Sequence, residues 1–137
     1  MDRHYKAFIS YSWSDKGWGG WLHRILEMYR TPPALVGKPS TLGPVPSRLH
    51  PIFKDREEEA AGHGIGAAIE AAMGGSEFLI VICSPRSAKS QWVNREIAWF
   101  KKHKSKERIL ALVVDSYTPG VTQILDPEIK NRGGQNR

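Results

Sequence analysis

The chain has 137 residues, with 20 Lys and Arg against 14 Asp and Glu and a formal net charge of +6. That length suits one domain, and no run approaches the roughly 20 apolar residues that span a bilayer. Neither a membrane span nor a secretory signal is expected, because "MDRHYKAFISYS" has no apolar stretch behind its basic start.

The elements follow in order. "KAFISYS" (Lys6 to Ser12) reads as a short buried strand. Asp15 stands at the N-cap position of a helix in which Trp18, Trp21, Leu22, Ile25, Leu26 and Tyr29 recur at helical spacing. Gly17, Gly19 and Gly20 weaken its first turns. Arg30 to Pro51 holds six of the nine prolines and no clear period, so it reads as a long loop or an arm wrapping the domain. "HPIFKD" (His50 to Asp55) is a weak strand candidate. A second helix is expected from about Ile65 to Met73, stopped by Gly74 and Gly75. "FLIVICS" (Phe78 to Ser84) is a third strand, and "SQWVNREIAWF" (Ser90 to Phe100) a helix with Ser90 as cap. "RILALVVD" (Arg108 to Asp115) is the fourth strand. Only "VTQIL" in the polar tail suggests a further one.

Apolar runs without alternation mark strands covered on both faces, as in a parallel sheet. The alternating order then predicts a flavodoxin-like three-layer α/β fold, a central parallel sheet of about four to five strands in the order 2-1-3-4-5. Residues 1–128 form the expected domain, with an insertion at 30–51. Residues 129–137 read as a polar tail or the start of a linker to a downstream domain. Such a sheet binds ligands beyond the carboxyl ends of its strands, where the strand order reverses. That edge receives Ser12 and Trp13 after the first strand, Asp55 after the second and Ser84 after the third, with the Trp92/Glu96 helix close by.

Several chemistries find no support. The five histidines are scattered and the single cysteine, Cys83, lies in an apolar run, so no metal site and no internal disulfide are expected. Cys83 reads as a small buried hydrophobe, and a cytoplasmic location follows. The basic cluster Lys101 to Arg108 lacks the interleaved aromatics that stack single-stranded bases; it suits a helix C-terminus, and no nucleic-acid partner is expected. "GHGIG" (Gly62 to Gly66) lacks dinucleotide-fingerprint spacing. What is left is a carboxylate, an aromatic and some hydroxyls. Such a set suits cleavage of a glycosidic bond with a good leaving group, such as nicotinamide on ribose. From spacing alone, Glu96 is read first as a surface residue in a salt bridge with Arg95 or Lys89.

Three stretches resemble a known family. "KAFISYSWSD", "FKDREEEAAGHGIGAAIEAAM" and "SEFLIVICSPRSAKSQWVNREI" look like successive motifs of the Toll/interleukin receptor homology (TIR) domain. They cover roughly Tyr5 to Asp115. The Pro-rich segment resembles a bacterial subgroup. Some family members cleave NAD+ by hydrolysis or cyclisation; others are adaptors that only bind further TIR domains. The resemblance implies that the Glu of W-x-x-x-E, here Glu96, is catalytic and that Trp92 lines the site. NAD+ is then substrate, with no cofactor. By position the further pocket candidates are Phe8, Ser10, Tyr11, Ser12, Trp13, Asp55, Gly62, His63 and Ser84. The family also implies self-association through TIR–TIR contacts and a role in bacterial antiviral defence. A non-enzymatic adaptor or a nucleotide-binding module is the alternative. In the family a fifth strand and a closing helix follow the fourth strand, and this sequence offers only "VTQIL" for them.

Overall fold

A computed structural model describes residues 4–54 and 66–114. Strands β1 (Tyr5–Ser10), β4 (Ile52–Lys54), β5 (Ser76–Cys83) and β6 (Ile109–Val113) form one sheet in the order β4-β1-β5-β6. All three pairings are parallel. In chain order these are strands 2-1-3-4, as expected. The expected fifth-strand candidate and the boundary at 128/129 lie outside the described residues.

Helix α1 (Lys16–Met28) covers one face; α2 (Ala67–Gly74) and α4 (Gln91–His103) cover the other. Two clusters fill the space between layers because successive strand side chains alternate faces. Phe8, Leu79, Val81 and Cys83 meet Ile69, Met73, Val93, Ile97 and Phe100. Ala7, Ile9, Tyr11, Ile52 and Ile82 meet Leu22 on the α1 side. β1 is thus buried on both faces, as its unbroken apolar run predicts. β6 is not: Leu110 and Val113 stay about half exposed (48% and 54%) on this outer strand of the described sheet.

The Pro-rich segment is more ordered than its composition suggests. β2 (Pro39–Ser40) and β3 (Gly43–Pro44) make a two-stranded antiparallel ribbon, closed at its base by a bridge between Arg30 and Arg48. Gly43, at φ +102, takes the left-handed conformation that the ribbon's turn requires. Arg48 Nη2 donates to the Glu27 carbonyl at 3.0 Å, and Glu27 Oε1 accepts from the Ile52 amide at 2.9 Å, so α1 fastens the outer strand β4.

Two helix starts came out differently. Ser90 caps α4 as expected, accepting from the Val93 amide at 3.2 Å. Asp15 does not cap α1: its side chain makes no cap bond, because its carboxylate turns inward instead. A short helix, α3 (Pro85–Lys89), precedes α4 and was not expected. It is closed by a capping box between Ser84 and Ser87.

The glycines of α1 are not equivalent. A Cβ on Gly17 would meet nothing within 4 Å, whereas on Gly19 it would stand 3.1 Å from the Tyr11 ring. Gly17→Ala should therefore stabilise the fold by about 0.5–1 kcal/mol in denaturant melts, and Gly19→Ala should be the less stable of the two. Burial pushes the Cys83 thiol up to about 12. Folded protein should resist thiol reagents near neutral pH and react once unfolded. With the folded pKa above the unfolded one, this group's stabilising contribution is full below pH ~8.5 and is lost as pH rises toward 12.

Candidate active site

β1 and β5 are neighbours whose onward connections lead to opposite sides of the sheet, so the ligand crevice of the fold lies beyond their carboxyl ends. Helix α4 approaches this edge with its first two turns. Val93, Glu96, Ile97 and Phe100 are its buried residues. Glu96, three residues after Val93 and four before Phe100, shares their face. It is not on a neighbouring stripe, and at 0% exposure it is not a surface salt-bridge partner. Trp92 is partly buried, packed against the core cluster at the same end of the helix.

The Glu96 carboxylate meets the end of β1. Ser10 Oγ donates to Glu96 Oε1 at 2.7 Å, both groups being fully buried. The alternation of β1 explains the pairing. Ser10 is two residues beyond Phe8, so it faces α4 as Phe8 does. A carboxylate taken from water requires such donors, since leaving it without them costs several kcal/mol.

A second buried carboxylate follows the end of β1. Asp15 is 2% exposed. Its Oδ2 accepts from Ser12 Oγ at 3.1 Å and from Ser84 Oγ at 2.5 Å. Its Oδ1 accepts from Arg86 Nε at 2.9 Å, and Arg86 Nη2 lies 2.8 Å from the same oxygen. Ser84 also accepts from the Ser87 amide at 3.1 Å, so one hydroxyl both caps α3 and holds Asp15. The turn after β1 is thereby tied to the turn after β5, across the crevice.

The expected site residues separate into groups. Ser10 touches Glu96, while Ser12 and Ser84 are joined through Asp15. Phe8 belongs to the core, stacked on Phe53 with ring centroids 5.0 Å apart, so packing takes up its ring. Tyr11 is on the α1 side of the sheet, opposite Glu96, because it is one residue out of phase with Ser10. Trp13 is 46% exposed, and the Lys16 ammonium lies 4.7 Å from its ring centroid. Asp55, Gly62 and His63 lie outside the described residues. Asp15 was not expected at the site, and Arg86, although it follows the third strand at this edge, was given no role there. The spacings Ser12-x-x-Asp15 and Ser84-Pro-Arg86, each just past an apolar strand, carried the signal, but Asp15 also had the position of a helix cap. Among the described residues no group of three or more His, Cys, Asp or Glu is placed to hold a metal ion.

A parallel sheet with a buried carboxylate and its hydroxyl partner at the switch point defines a class of α/β site built around one acid. The chain belongs to the TIR domain family, whose model matches residues 7–132. It is similar to NAD(+) hydrolase ApTIR of Actinoplanes sp., with 32% identity over 115 residues, 80% of this chain and 14% of that protein. The chain thus spans about a seventh of the length of that relative.

Replacing Glu96 by Gln keeps an oxygen that accepts from Ser10, so Glu96→Gln should unfold near the wild-type midpoint. Ser10→Ala removes the donor and should cost about 1–3 kcal/mol, measured by denaturant unfolding followed through tryptophan fluorescence.

Proposed function

We propose that this domain cleaves the bond between nicotinamide and ribose in NAD+, with Glu96 as its catalytic carboxylate. The observation that carries the reading is the hydrogen-bonded burial of Glu96 against Ser10 at the crevice. The likeness to a protein named NAD(+) hydrolase supports it.

The chemistry is undemanding of protein groups. As the ribosyl C1′–N bond breaks, its electron pair stays on the pyridine nitrogen, and the positive pyridinium becomes neutral nicotinamide. No general acid is needed. Positive charge develops on the ribosyl C1′ and ring oxygen, where a nearby carboxylate stabilises it. Water then forms the new bond to C1′ and releases a proton, giving ADP-ribose. If a nucleophile of the substrate itself attacks, the product is cyclic. In a low-dielectric setting one carboxylate acts more strongly than in water.

With Glu96 at 0% exposure, the described arrangement is closed. Substrate reaches the carboxylate only when the crevice edges part. In this reading self-association through TIR–TIR contacts supplies the opening, and the role is in bacterial defence within the cytoplasm. Turnover should then rise steeply with protein concentration.

The test is nicotinamide release from NAD+ measured across protein concentrations, wild type beside Glu96→Gln. The expected result is loss of at least 100-fold in the variant at unchanged melting temperature, in line with removing a group that stabilises charge in the transition state. Equal turnover in a folded Glu96→Gln protein would sink the assignment. No turnover at any concentration, together with a stable complex with another TIR domain, would favour an adaptor.

A further inference from the structure

The Asp15 cluster has a polarity that the proposed reaction at Glu96 leaves unused. Each carboxylate oxygen of Asp15 already accepts from two donors, the Ser12 and Ser84 hydroxyls on Oδ2 and two nitrogens of Arg86 on Oδ1. A carboxylate so occupied holds other groups in place and is poorly suited to act as a base. Arg86 is different. Its side chain remains 47% exposed, although its partner is 1% exposed. Nε and Nη2 are engaged with Asp15, and guanidinium presents five N–H donors in a planar fork. The far edge, with Nη1, therefore points donors away from Asp15.

Ion pairs elsewhere, such as those of His4 and Lys6 with Glu77 and of His23 with Glu27, have part-exposed acidic partners. The orientation of Arg86, by contrast, is set by a buried anion. A pre-oriented guanidinium binds a phosphate with two parallel bonds, and little side-chain freedom is left to lose.

Position gives the ligand. Ser10, bonded to Glu96, is paired in register with Val81. Ser84 follows three residues further along, just past the end of β5, and Arg86 follows it, so both lie beyond the carboxyl end of the strand that flanks Ser10 and Glu96. In NAD+ the ribose at the scissile bond is joined through its 5′ carbon to a diphosphate, the anionic part of the molecule. We propose that Arg86, held by the positioning residue Asp15, binds the diphosphate of the dinucleotide. The inference rests on the NAD+ reading above and adds the basis on which a dinucleotide is preferred to an uncharged nicotinamide riboside.

The experiment compares NAD+ with nicotinamide riboside, which has the same scissile bond and no phosphate. Wild type is measured beside Arg86→Lys and Arg86→Ala, each checked by melting temperature. Arg86→Lys keeps a charge beside Asp15 while removing the fork, so it covers the case in which Arg86→Ala fails to fold. The expected result is a 10- to 100-fold fall in the preference for NAD+, the size of a lost charge-assisted hydrogen bond, seen in KM more than in kcat. Asp15→Asn, which loosens Arg86, should shift the ratio in the same direction. ADP-ribose titrated onto the Glu96→Gln protein should bind more weakly by a similar factor when Arg86 is also changed. Equal losses on both substrates, or unchanged ADP-ribose affinity, would make Arg86 only the counter-ion of Asp15 and overturn the inference. Wild type that neither turns over NAD+ nor binds ADP-ribose would instead overturn the NAD+ reading, and this one with it.

Discussion

Burying a carboxylate costs several kcal/mol unless hydrogen bonds replace its water, and this domain does so twice where β1 ends. Asp15 is the more demanding of the two. Two hydroxyls and a guanidinium from two separate turns converge on it. Those turns follow β1 and β5, strands whose paired positions are 71 residues apart in sequence but adjacent in the sheet. The need to satisfy one buried acid therefore sets the geometry of the whole crevice edge. The capping box of α3 follows from it, since Ser84 serves both Asp15 and the helix start.

Glu96 depends on the same frame in a different way. α4 is placed by Val93, Ile97 and Phe100 packed on the sheet, and Glu96 is carried in on that apolar face. A helix that merely covered the core would have an aliphatic residue at this position. The acid is accommodated because Ser10 meets it from the strand below. Packing thus fixes the direction of the carboxylate, and the Ser10 hydroxyl helps to hold it. Reaction chemistry that relies on a single charge benefits from such preorganisation, because little reorganisation is needed when charge develops.

A closed site has a consequence for regulation. The contacts that satisfy Asp15 also draw together the two turns that border the crevice. If substrate enters between those turns, as the proposed reading has it, opening competes with these contacts and access is energetically linked to the cluster. In the proposed reading, assembly with other copies or substrate itself supplies the difference.

Much of the fold was legible in the sequence. The unbroken apolar runs at Lys6 to Ser12 and Phe78 to Ser84 marked strands covered on both faces, and the alternation with helical spacing implied the parallel order found in the sheet. Ser90 was legible as a cap because capping is a local interaction between neighbours. The W-x-x-x-E pattern pointed to Glu96 without reference to geometry. Local spacing did not decide what Glu96 and Asp15 touch. Glu96 looked like a surface residue beside a core stripe, and Asp15 like a helix cap, because both readings use only neighbours in the chain. Their real partners, Ser10 for Glu96 and Ser84 with Arg86 for Asp15, are 86, 69 and 71 residues away. Alternation along β1 likewise sent Ser10 toward Glu96 and Tyr11 to the opposite face, which required knowing which helix covers which side. The sequence by itself determined the elements, their order and the presence of the acid. Apart from the local Ser12–Asp15 bond, only tertiary structure decided which hydroxyls and cation meet the buried carboxylates, because desolvated charge is satisfied by whatever folding brings near.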